Sequence, residues 1–174
     1  MASMAPEPEP EPEPEEIVRE VRIAASPDEV FPYFTDADKL VVWKAVRAEL
    51  DARPGGVFRM DVTGRGDIAR GQYVEIDPPR RVVFTWEWED RGTATPPARS
   101  VVEVTLSPDG DGGTLLRLVH RGVPQEIRRG SAAGWAHYLA RLVLAAAGHD
   151  PGPDPWATAT PGDPMSEIEI EGVQ

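Results

Sequence analysis

Apolar and polar positions alternate most clearly in the stretch Arg81–Trp88, where Val82, Phe84, Trp86 and Trp88 share one face and Arg81, Val83, Thr85 and Glu87 the other. A period of two predicts a strand with one buried side. Two indoles and a phenyl on that side predict an element that covers them. The same alternation predicts strands over residues 17–24, 46–52, 57–63, Ile68–Asp77, 100–106 and 114–120. Turn residues separate them: Arg53-Pro54-Gly55-Gly56, Gly64-Arg65-Gly66-Asp67, Pro78-Pro79 and the Gly-rich run 107–113. Tyr73 has an ambiguous parity, because Val74 and Ile76 compete for the inner face and a bulge satisfies both.

Helical signals stand at two places. Ser26-Pro27-Asp28-Glu29 combines an N-cap serine, a proline at the first helical position and the acidic member of a capping box. Val30, Phe31, Tyr33 and Phe34 follow in a short apolar helix, and Asp36 caps a second one carrying Leu40, Val41 and Trp43. Near the C-terminus, Ile127, Ser131, Gly134, Trp135, Tyr138, Leu139, Leu142, Val143 and Ala146 recur at helical spacing. They predict a long amphipathic helix from Gln125 or Glu126 to Ala147, ended by Gly148. One strand, two short helices, about six antiparallel strands and a long helix give an α+β fold of sheet packed on helix.

Composition separates the ends from this middle. The Glu-Pro run within residues 1–16 and the acidic segment 157–174 are poor in core-forming residues, which predicts disordered tails around a domain at 17–156. Ser166–Gly172 alternates Ile and Glu, yet its charge favours disorder over a strand. The net charge of −12 sits mostly in these ends: removing their ten carboxylates leaves 20 acidic against 18 basic residues. Such a balance excludes the basic face that nucleic-acid binding requires. The absence of Cys excludes disulfides and thiolate chemistry. With no apolar leader and no run long enough to span a bilayer, a cytoplasmic location is expected, with no membrane partner. Sixteen Arg against two Lys, with no Asn, is the bias of a GC-rich bacterial genome and is silent on function.

The ordered set of Ala25-Ser-Pro-Asp-Glu-Val-Phe31, Trp43, Arg53-Pro-Gly-Gly56 with Phe58-Arg59, Gly71 through Glu75-Ile-Asp-Pro-Pro79, Phe84-Thr-Trp86 and Gly134-Trp135 resembles the START-like (SRPBCC, Bet v 1-like) superfamily. Within it, the chain is similar to the family of the activator of Hsp90 ATPase. The resemblance implies a helix-grip fold, a curved antiparallel sheet wrapped around the C-terminal helix with a cavity between them. It also implies a small hydrophobic or aromatic molecule as partner. Such likeness speaks for fold more than for function, and no residues here mark a chaperone-binding surface.

If sheet and helix pack in this way, the ligand-binding candidates are Trp43, Phe58, Met60, Tyr73, Phe84, Trp86, Trp88, His120, Trp135, Tyr138 and Leu142, beside Leu118 and Leu139. The alternative is that these side chains fill a solid core. His120 shares parity with Leu116 and Leu118; it is either an acid or base inside the cavity or, more plainly, a rim histidine bonded to backbone. His137 and His149 are expected to be exposed. Three scattered His without Cys exclude a metal motif, and no cofactor is expected. Glu87 and Glu103 are expected to be solvated partners of arginines, with Glu75 ambiguous. Asp109-Gly-Asp111-Gly-Gly113 begins like a calcium loop but has His120 at the twelfth place, so a hairpin turn is expected. No catalytic set stands out. Ligand binding is the leading expectation. A polyketide cyclase or dehydratase using the same cavity, with His120, Tyr73, Glu75 or Tyr138 moving a proton, is the second. A co-chaperone-like interaction domain is the third, and a homodimer or protein partner stays open.

Overall fold

The computed structural model describes residues 16–89 and 99–158. The expected tails at 1–15 and 159–174, the strand considered at Ser166–Gly172 and the loop at 91–97 lie outside the described residues. Seven strands, β1 (Glu16–Ile23), β2 (Arg47–Leu50), β3 (Val57–Asp61), β4 (Ile68–Asp77), β5 (Arg81–Trp88), β6 (Ser100–Asp109) and β7 (Gly113–Arg121), form one antiparallel sheet in the order β1-β7-β6-β5-β4-β3-β2. The segment 109–113 is the β6–β7 hairpin turn.

Between β1 and β2, α1 (Pro27–Val30), a single 3-10 turn (Phe31–Phe34) and α2 (Ala37–Trp43) carry the chain from one sheet edge to the other. The capping box is present in full: Glu29 N–H donates to Ser26 Oγ at 3.3 Å and Ser26 N–H donates to the Glu29 carboxylate at 2.9 Å. Asp36 caps α2 by accepting from Asp38 N–H at 2.9 Å. The long helix α3 (Gln125–Ala146) crosses the sheet. It ends as its glycine requires: Gly148, at φ +89°, lets its own N–H reach Ala145 O and the His149 N–H reach Leu144 O. A short α4 (Pro155–Thr158), which the periodicity did not predict, follows.

The core lies between the sheet and α3. Val102, Val104, Leu116, Leu118, Phe84 and Phe58 rise from the strands to meet Leu139 and Leu142. The Phe58 and Phe84 rings stack at 4.1 Å, with Tyr73 edge-on to Phe58 at 5.5 Å. The register of β4 shifts between Tyr73 and Glu75. This bulge turns Tyr73 inward, leaves Val74 53 % exposed and returns Ile76 to the core. Close pairing of β4 with β5 also needs Gly71, since a Cβ there would sit 1.9 Å from Thr85 O. On the outer face, arginines and glutamates alternate across strands. Arg81 bonds Glu75 at 2.7 Å and Glu103 at 2.5 Å, Arg121 bonds Glu103 at 2.7 Å and Arg70 bonds Glu87 at 3.0 Å. Hydrogen bonds from Arg121 and Arg81 hold the Glu103 carboxyl below the usual range against the opposing effect of burial. These are surface pairs of small individual worth, and they settle the three strand glutamates as partners of arginine.

Candidate functional site

The inner face of α3 changes character halfway. Its second half presents Leu139 and Leu142, which pack solidly. Its first half presents Gly130, Ser131 and Gly134, whose small side chains cannot reach the sheet. The unfilled space is a cavity of about 580 Å³, bounded by β4, β5, β7 and the N-terminal half of α3. Trp86, Trp88, His120, Trp135 and Tyr138 line its aromatic wall, with Ile127, Val62 and Ile68. Trp86 and Trp135 touch at 5.4 Å across the floor, and Trp88 stands edge-on to Trp86 at 5.5 Å. Lys44, Thr63, Asp67, Glu89 and Trp156 complete the lining.

His120 is buried at the floor. An indole N–H only donates, so the 3.0 Å contact of Trp135 Nε1 with His120 Nδ1 makes Nδ1 the acceptor. Nε2 then carries the proton and donates to Ser100 Oγ at 2.6 Å, and the Ser100 hydroxyl donates to Trp86 O at 2.8 Å. Burial, with a smaller contribution from the Lys44 charge, holds the imidazole down at about 4. It is neutral at physiological pH and committed on both nitrogens. The plain expectation of a rim histidine bonded to backbone is therefore corrected: β7 ends beneath α3, and the indole of the helix supplies its partner.

The other expected residues divide. Trp86, Trp88, His120, Trp135 and Tyr138 come together around the cavity. Trp43, Phe58, Met60, Tyr73, Phe84 and Leu142 are buried but do not line it. Trp43 is an edge-on neighbour of Phe34 at 5.4 Å, and its indole N–H donates to Tyr33 O at 3.2 Å. The Tyr73 hydroxyl donates to Phe34 O at 2.7 Å, and burial pushes its phenol well up. Inward orientation in a strand says only that a residue meets the core; the shape of α3 decides which part of that core is empty.

Most of the remaining lining was not among the expected residues, and two of those wall residues, Lys44 and Trp156, come from outside the sheet and α3. Lys44, at the C-cap of α2, is only 5 % exposed, with its ammonium 3.9 Å from the Tyr138 ring centroid, 5.1 Å from Trp135 and 5.3 Å from Trp86. Nothing in its local pattern signals burial. Trp156 arrives on α4. Arg141 fixes the approach by donating to Pro151 O at 3.3 Å and Gly152 O at 2.9 Å, and Trp156 N–H donates to Asp154 Oδ1 at 3.0 Å. The Trp156 ring then stacks flat on His137 at 4.1 Å. His137 is thus half-buried and bonded to Asp154 at 2.8 Å, where exposure was expected. Burial pushes the Asp154 carboxyl up, but hydrogen bonds from His137, Tyr138 and the Trp156 N–H outweigh it and leave the group below its ordinary value.

Among the described residues, no group of His, Asp or Glu has the geometry of a metal site, and no helix is long and apolar enough to cross a membrane.

Comparison with known proteins agrees with this architecture. The human activator of 90 kDa heat shock protein ATPase homolog 1 is 27% identical over 114 residues, 65% of this chain and 31% of that protein, so the match spans under a third of the relative's length. The solution structure of an AHSA1-like protein from Rhizobium etli is 41% identical, covers 84% of this chain and 90% of its own, and superposes with a TM-score of 0.63. The crystal structure of CalU16 from Micromonospora echinospora is 28% identical, covers 90% of this chain and 82% of its own, and has a TM-score of 0.64. The model of the family described as Activator of Hsp90 ATPase homolog 1-like protein matches residues 24–147, and the chain belongs to that family.

Proposed function

We propose that this chain binds a small hydrophobic or aromatic molecule in the cavity between the sheet and α3. The observation that carries the reading is the cavity itself: about 580 Å³ of unfilled space against the wall formed by Trp86, Trp88, Trp135 and Tyr138. Protein interiors ordinarily pack to crystal density. Space of this size, lined by aromatic groups and a few polar ones, has the character of a ligand site. Each 100 Å² of apolar ligand surface withdrawn from water there contributes about 2.5 kcal/mol.

Binding is favoured over acid–base catalysis by the state of three of the four candidate groups, the fourth, Tyr138, standing in the cavity wall. His120 is hydrogen-bonded at both nitrogens, and its low pKa makes it a weak base. Tyr73 is bonded to Phe34 O and Glu75 to Arg81 on the outer face, so neither reaches the cavity. The heat-shock activity named for the human relative belongs to a much longer protein, and no feature of the described surface favours that role here.

The test is fluorescence titration with N-phenyl-1-naphthylamine, a neutral aromatic dye that brightens in apolar surroundings, beside native mass spectrometry of protein purified from its own host. One saturable site per chain, with energy transfer from the tryptophans, is the expected result. A folded protein with no saturable dye site and no retained mass would overturn the reading.

A further inference from the structure

Most of the cavity wall is bound into the sheet or into α3. Even its strand ends are tied: Val62 N–H donates to Asp67 O at 3.0 Å, and Glu89 N–H to Ile68 O at 2.9 Å. Opening the wall there breaks hydrogen bonds between strands. Trp156 is held differently. It stands on α4, at the end of a strap that leaves α3 at Gly148 and lies beyond the residues 24–147 matched by the family. Gly148 and Gly152 have φ of +89° and +73°, and glycine changes such angles at little steric cost. Pro151, Pro153 and Pro155 stiffen the rest of the strap by fixing their own φ. A stiff segment on two glycine joints is built to swing. Its closed position rests on contacts at the surface of the domain. Arg141 donates to Pro151 O and Gly152 O, and Arg65 donates to Trp156 O at 3.2 Å. Asp154 is bonded to His137 and to the Trp156 N–H. The half-buried indole lies flat on His137 at 4.1 Å and edge-on to Tyr138 at 5.9 Å. Contacts of this kind open locally at far lower cost than a sheet ladder does.

We propose that the strap 149–156 is the gate of the cavity and that Trp156 is its moving wall. The strap turns about Gly148 and Gly152, lifts the indole off His137 to admit or release the ligand, and closes the indole over the bound molecule. The proposal rests on the ligand-binding reading above. Trp156 then governs the rate of exchange, while Trp86, Trp88 and Trp135 govern affinity.

Stopped-flow mixing of the full chain with N-phenyl-1-naphthylamine measures kon and koff. Loss of a static wall residue raises koff alone, whereas loss of a gate raises kon as well. Trp156→Ala is expected to raise kon about tenfold, the scale of one lost stacked ring pair. Trp156→Phe, which keeps an aromatic ring at the gate, is expected to stay within about threefold of the unaltered chain. Arg141 lies outside the lining, and Arg141→Met frees Pro151 O and Gly152 O of the strap. It is expected to raise kon and koff together by about fivefold, the scale of a lost hydrogen bond, with Kd unchanged within about twofold. A kon within about twofold of the original in Trp156→Ala or in Arg141→Met would overturn the gate and leave the cavity reading standing. Failure of the dye to bind the unaltered chain would overturn both. Should either variant not fold, the other decides.

Discussion

Gly134 lies in the interior of α3 and lines the cavity, and a Cβ built on it meets no atom within 4 Å. Glycine at such a helical position costs about 1 kcal/mol relative to alanine through backbone entropy. Gly134→Ala therefore recovers that amount without a steric penalty, because the added methyl enters empty space. For a folded unit of this size, 1 kcal/mol corresponds to a rise in Tm of about 2–4 °C. Gly134→Leu retains good helix propensity but sends a branched side chain into the volume proposed for the ligand. It should melt no lower than the unaltered chain and bind N-phenyl-1-naphthylamine at least fivefold more weakly. Circular dichroism melts and dye titrations of the three proteins measure both effects. If alanine lowers Tm by several degrees, or leucine leaves dye binding intact, then α3 is closely packed on the sheet at this point and the cavity argument fails.

Two further outcomes follow from the geometry. The folded pKa of His120 is about 4 and that of an unfolded histidine about 6.5, so between those values the unfolded chain takes up a proton that the native one refuses. Stability is then full above pH 6.5 and falls as pH drops toward 4, by about 3 kcal/mol; denaturant melts across that range should show the slope and His120→Gln should flatten it, whereas an NMR titration midpoint of His120 near 6.5 would contradict the burial argument. Tyr73→Phe removes the hydroxyl that donates to Phe34 O and should cost about 1 kcal/mol with dye affinity unchanged within twofold; a large loss of dye binding would place Tyr73 in the ligand site.

Local signals in this chain were legible because they are local in cause. The Ser26–Glu29 box, the Gly148 stop and the alternation of β5 each depend on groups a few residues apart, and each took its expected form. Tyr73 shows where this reasoning thins: period two allowed either Tyr73 or its neighbours inside, and pairing with β5 chose a bulge that seats both Tyr73 and Ile76. His120 shows it more sharply. Its parity gave the inward direction, but whether it met backbone, solvent or another side chain depended on Trp135, fifteen residues away on a different element.

What the sequence by itself determined was the list of elements, the α+β class, the family likeness and the aromatic character of the inner face, because hydrophobic period and turn chemistry act within a few residues. Only the tertiary structure decided which aromatics are core and which are wall. That division follows from the seating of α3, whose Leu139 and Leu142 fill the space on one half while Gly130, Ser131 and Gly134 leave it open on the other. It also decided the place of Lys44 and Trp156, two residues from opposite parts of the chain that the sheet, α2 and α4 bring to one cavity. An empty volume belongs to no residue's local pattern; it is the remainder after every element has packed, and so it is written only in three dimensions.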